Sequence, residues 1–240
     1  MKLRLLLVLL FGSLCLSLST AEAGFLDILL QKFGISSRSV LSEEKIVAGL
    51  KEALSVGTEN AVNLTGKVDG YFANAAIKIL LPENVRKMED VLRLLGYGPK
   101  LDDFVLSMNR AAEKAAPFAR NIFLEAITQI TFDDARKILN GGETAITDFF
   151  KTKTYDSLTL AFTPVVKEQL DAFSVTAKYK AIVEPYQKLP FAEKIAFLDL
   201  DGYVVARALD GLFYILASEE KNIRKNPAAR VTQLLKEVFR

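Results

Sequence analysis

No histidine occurs among the 240 residues, and the only cysteine is Cys15. Without imidazole, Ser-His-Asp and Cys-His nucleophilic catalysis has no proton carrier. A conventional zinc centre of Cys and His is excluded as well, and so is haem held by histidine. Carboxylate acid–base work and a hard-cation site of oxygen ligands stay open, but no cofactor, no metal site and no catalytic residue is assigned. An excess of one charge is also missing. Lys and Arg number 31 against 29 Asp and Glu, which argues against bulk nucleic-acid binding.

What is present begins with the amino terminus. Lys2 and Arg4 form a short positive region, Leu5 to Leu18 is nearly all apolar, and Ala21-Glu22-Ala23 places small residues where a signal peptidase reads. We expect a secretory signal over 1–23, cut before Gly24. The apolar run is too short for a comfortable membrane span, which needs about 20 residues. The expected product is a soluble periplasmic protein with no integral span. Removing Lys2, Arg4 and Glu22 leaves 29 basic and 28 acidic residues and no thiol. Lipidation of Cys15 would need a small residue before it, and Leu14 is bulky.

Residues 24–240 read as one all-α domain, a compact multi-helix bundle. Ser42-Glu43-Glu44 opens a helix whose face runs through Ile46, Leu50, Leu54, Ala61 and Leu64. Pro82-Glu83 starts another, stopped by Gly96 and Pro99. Asp102 or Asp103 caps a long helix that Pro117 bends or splits. Thr131 caps a short helix with Asp133 and Asp134 in its first turn, and Asn140-Gly141-Gly142 ends it. Glu143 to Lys151 is a further helix, and Pro164 divides the next apolar segment. Asp199 or Asp201 caps the most apolar helix, roughly 202–217, and Pro227 opens a terminal amphipathic helix through Val231, Leu234, Leu235, Val238 and Phe239. Phe173, Val175, Ala177 and Tyr179 alternate with polar residues, so a small β-hairpin near 155–182 is allowed.

Two groups of polar residues deserve weighing. Asn109, Arg110 and Glu113 sit among alanines at helical neighbour spacings. They form either a ligand site or a structural polar network. Arg207 and Asp210, one turn apart in the most apolar helix, either lie on its exposed stripe or face the first group across a cleft. Asp133 and Asp134 are better read as helix capping than as cation ligands. Glu219, Glu220, Lys221, Arg224 and Lys225 read as a solvated charged face. The aromatics, Tyr71, Phe72, Phe149, Phe150, Tyr155, Phe162, Phe213 and Tyr214, are read as core.

Gly49-Leu50-Lys51-Glu52-Ala53-Leu54, Asp69-Gly70-Tyr71-Phe72, Leu81-Pro82, Met108 to Glu113, Asp134-Ala135, Ala208 to Phe213, and Glu219-Glu220 followed by Ile223-Arg224 and Pro227 to Arg230 occur in that order. Together they resemble an uncharacterised bacterial family labelled domain-of-unknown-function 4197. The resemblance implies a largely helical exported protein and carries no activity or functional residue. The leading expectation is a non-enzymatic binding or interaction protein, its partner an envelope protein or a small ligand. A first alternative is a carboxylate-dependent hydrolase of envelope glycans, with Glu113 as proton donor and Asp210 or Asp134 as the second carboxylate. A second is a carrier of lipid-like ligands, which needs a continuous apolar cavity of about 300 Å³ or more.

Overall fold

The computed structural model describes residues 42–190, 198–230 and 232–238. The expected leader over 1–23 lies outside them, as do Val231 and Phe239 of the expected terminal helix. From Glu43 onward the chain forms one compact unit. Among the described residues every regular element is helical, so the protein is all-α.

In chain order the helices are α1 (Glu43–Gly66), α2 (Glu83–Arg86), α3 (Glu89–Leu94), α4 (Gly98–Ala115), α5 (Ala119–Thr128), α6 (Phe132–Leu139), α7 (Ala145–Ala172), α8 (Val175–Gln187), α9 (Leu200–Lys225) and α10 (Gln233–Val238), with single 3₁₀ turns at Ala116–Phe118 and Pro227–Ala229. Helix α9 lies at the centre, against α7, α1 and α4. Its Val204, Ala208, Leu212 and Leu216 recur every four residues and are buried. Apolar burial on this stripe supplies the main driving force. Phe123 of α5 meets Phe150 of α7 at 5.5 Å and Phe213 of α9 at 6.1 Å, both edge to face, a favourable aromatic geometry.

Local chemistry sets the ends. Thr131 and Asp134 form a reciprocal capping box at α6. Asp199 caps α9 by accepting from the Gly202 N–H at 3.0 Å. Pro117, which has no N–H to give, splits the expected long helix: α4 ends at Ala115 and α5 resumes at Ala119. At Gly66 a Cβ would lie 3.1 Å from the Pro117 ring, so α1 ends in close contact with that bend.

Several expectations need correcting. No hairpin occupies 155–182. Leu158, Phe162, Val166 and Leu170 are buried every fourth residue in α7, and Val175, Tyr179, Ile182 and Val183 form the buried face of α8. Over so few residues the alternation fits a helix equally well, and the wider four-residue spacing decides. Ser174, in the left-handed region at φ 53, makes the break between the two helices. Helix α4 starts at Gly98, not at Asp102 or Asp103, because Pro99 opens it; proline in the first turn loses no hydrogen bond. The helix from Pro82 is two short ones, α2 and α3, ending at Gly96 with φ 86. Glu143 to Lys151 and the segment around Pro164 are one helix, α7.

Candidate functional site

Residues 67–82 join α1 to α2 without helix or strand. Buried polar groups hold this segment in place. Asp69 adopts φ 67, and a Cβ on Gly70 would fall 2.4 Å from the Leu64 carbonyl oxygen and 2.6 Å from that of Thr65. Only glycine fits that turn. The chain then reaches α4, where Glu113 is 3 % exposed. Its Oε1 accepts from the Tyr71 and Phe72 N–H groups, each at 3.1 Å. Its Oε2 accepts from Arg110 at 2.6 Å, and Arg110 also reaches Asp69 at 2.7 Å. The hydrogen bond to Glu113 holds the Arg110 guanidinium above its ordinary range, with a smaller contribution from Asp69.

One turn earlier on α4, the fully buried Asn109 accepts from the Ile79 N–H at 2.8 Å. It donates to the Ile79 carbonyl and to the Val105 carbonyl, both at 2.8 Å. A side-chain amide can meet both groups of one residue only where that residue is extended. From the other side, Tyr71 donates its hydroxyl to the Ala208 carbonyl on α9 at 2.6 Å, and burial pushes that hydroxyl's pKa far up. At Gly211 a Cβ would meet the Tyr71 ring at 2.6 Å and the Ile77 Cβ at 3.1 Å. Tyr203 of α9 donates to the Leu80 carbonyl at 3.1 Å.

Two grooves flank the segment. The first, about 350 Å³, has Phe72, Leu80, Leu81 and Val105 as its apolar part, Lys78, Arg86 and Arg93 as cations, and Glu89 and Asp102 as carboxylates. Arg86 pairs with Glu83, and Arg93 with Glu89 and Asp102, while the Lys78 ammonium lies 4.1 Å over the Phe72 ring. The second, about 230 Å³, runs between residues 76–79 and α9, where Arg207, Asp210 and Tyr214 line it. Asp210 accepts from Arg207 at 3.3 Å and lies 4.0 Å from Lys151.

The five candidate residues therefore separate. Asn109, Arg110 and Glu113 form one network beneath the segment. Arg207 and Asp210 are exposed and stand on its α9 flank. The charged face expected near the end of α9 needs correcting, because Glu220 is 3 % exposed. It accepts from the Ile146 N–H at 3.0 Å, from the Thr147 N–H and hydroxyl at 2.9 Å each, and from Arg224 at 2.9 Å. Glu220 thus closes the amino end of α7, where the helix dipole favours an anion. Its place four residues after Leu216, on the buried stripe, was the overlooked signal. The aromatic expectation also needs one change: Tyr214 is 55 % exposed.

A family described as "Protein of unknown function (DUF4197)" matches residues 40–240. The chain belongs to the DUF4197 family. No curated protein and no solved structure matches it. In this DUF4197 protein the hydrolase alternative loses its proton donor. Both Glu113 oxygens are occupied by donors and the residue is buried, so it has no route to a glycosidic oxygen. Asp134 is spent on the Thr131 capping box, and the Thr131 hydroxyl and N–H hold its carboxyl below the usual range. Sequence reasoning missed Asp69, Gly70, Tyr71, Lys78 and Tyr203 as partners in one site; the Asp-Gly pair after a helical run was the available turn signal.

Proposed function

We propose that this is an exported, non-enzymatic binding protein whose recognition surface is the segment 69–81, and that it binds anions carrying an apolar body. One observation carries the reading. Asn109 and Glu113, both buried, spend every hydrogen bond described for them on neighbouring backbone and Arg110, chiefly the backbone of this irregular stretch. Buried polar networks are costly unless fully satisfied and then fix one geometry. Such a stretch on a rigid scaffold is the usual position for binding residues. The groove beside it offers apolar side chains from Phe72, Leu81 and Val105 and a cation from Lys78. The charged rims of both grooves suit an amphipathic anion better than a fully apolar lipid.

Export is supported by the sequence over 1–23, with Gly24 as the first mature residue. Cell fractionation followed by amino-terminal sequencing tests it; an uncut leader in the cytosol ends that part of the proposal. Binding is tested by titrating ¹⁵N-labelled mature protein with decanoate and, separately, with 1-decanol. Amide shifts at Phe72, Lys78 and Leu81 are expected with decanoate and much weaker ones with the alcohol. Equal responses to both would remove the anion preference. Silence to both, and to an acidic peptide, would remove the recognition surface.

A further inference from the structure

The backbone of the Lys78–Leu80 stretch has two edges. Asn109 takes both the N–H and the carbonyl of Ile79, so residue 79 turns its polar groups toward α4. In extended chain, alternate residues direct these groups to opposite sides. The two peptide planes that flank residue 79 therefore turn the Lys78 carbonyl and the Leu80 N–H away from α4, to the α9 side. The Lys78 N–H is taken by the Asn74 carbonyl at 2.8 Å, and the Leu80 carbonyl by Tyr203. The Lys78 carbonyl and the Leu80 N–H have no partner among the described residues. An acceptor and a donor one residue apart on a single edge are what a neighbouring β-strand uses. Leu80 is 54 % exposed.

We propose that this edge receives an extended, acidic peptide by strand addition. The inference rests on the recognition surface above and names the class of partner for its α9 flank. An incoming strand forms its main-chain bonds with the Lys78 carbonyl and the Leu80 N–H, the mode by which sheet edges capture peptides. Charge selects its composition. Arg207 and Lys151 flank the approach and both face Asp210, while the Lys78 ammonium lies over the Phe72 ring in the other groove. The surplus is positive, so acidic side chains are favoured and basic ones repelled. Asn109 fixes the edge in extended form before the partner arrives, which lowers the ordering cost of binding. An unprotected edge is otherwise a liability; here it is short and carries a lysine.

The experiment uses the full mature chain and a fluorescent decapeptide of alternating Glu and Val, with a Lys/Val peptide as the opposite-charge probe. Anisotropy is expected to rise with the Glu/Val peptide alone, and hydrogen exchange at the Leu80 amide to slow when it is bound. Lys151→Glu and Arg207→Glu are each expected to weaken binding about tenfold. Leu80→Pro, which deletes the N–H, is expected to abolish it, whereas Leu80→Ala retains it. Should Leu80→Pro fail to fold, exchange at the Leu80 amide in the unaltered protein decides. Unchanged exchange with peptide bound, equal binding of both peptides, or no binding of the Glu/Val peptide each overturns strand addition. If decanoate still shifts the segment while the peptide does nothing, only this inference falls and the recognition surface stands.

Discussion

Replacing Asn109 by Asp changes one atom and inverts a buried hydrogen-bond pattern. The side chain keeps an acceptor for the Ile79 N–H but loses the amide that donates to the Ile79 and Val105 carbonyls. The Val105 carbonyl keeps its ladder bond from the residue 109 backbone N–H within α4, but the Ile79 carbonyl is left without a donor and faces a buried carboxylate, so we expect a cost of about 3 kcal/mol at neutral pH. For a domain of this size that lowers Tm by about 6–12 °C. The penalty should depend on pH. Burial and two facing carbonyls raise the folded-state pKa of the new carboxyl, so its protonated form, which can donate once more, is favoured in the native state. The deficit relative to the parent then shrinks as pH falls through that pKa and grows as pH rises. Asn109→Ala should show a deficit of similar size without this dependence. Urea denaturation followed by circular dichroism at several pH values measures both. Exchange at the Ile79 amide should also quicken in Asn109→Ala. A deficit below about 1 kcal/mol, or one identical at pH 4 and 7, would refute the assigned role of Asn109.

Three further outcomes follow from the packing. Glu220→Ala removes the carboxylate that pairs with Arg224 and leaves two buried amide donors at the start of α7 unsatisfied, and should cost about 2–5 kcal/mol; Glu220→Gln, which keeps an acceptor, should cost clearly less by thermal denaturation. Gly211→Ala drives a methyl into the Tyr71 ring and should destabilise by about 1–3 kcal/mol, with a near-ultraviolet dichroism change at the tyrosine band. Asp201, raised by burial and then by Asp199, favours the folded state below its unfolded pKa and loses that contribution as pH rises through its higher folded pKa. Asp201→Asn should therefore raise Tm at pH 7, and the gain should vanish in strongly acidic solution.

The helices were legible because their buried residues repeat every three or four positions, as Leu158, Phe162, Val166 and Leu170 do. Breaks were less legible. Pro117 announced one, but Ser174 gives no such sign, since nothing in a serine specifies a left-handed backbone. Pro99 reads as a stop in the sequence because Gly96 just before it ends α3, while the same proline opens α4. The spacing of Asn109, Arg110 and Glu113 marked them as neighbours on one helix. Their partners could not be read, because Asp69, Tyr71 and Ile79 reach them only through the tertiary path of an irregular stretch. Glu220 was misjudged because its charge outweighed its place on the apolar stripe.

Glu220 also sets where the domain can be cut. The anion that closes the start of α7 is carried more than seventy residues later in the chain. The last long helix is thus not an appendage that a shorter clone could omit. Truncation ahead of it removes the bundle's central rod and leaves an earlier helix open at its first turn. Fragments meant for expression should retain residues through Arg224, and a polypeptide emerging from a ribosome cannot complete α7 until Glu220 has appeared.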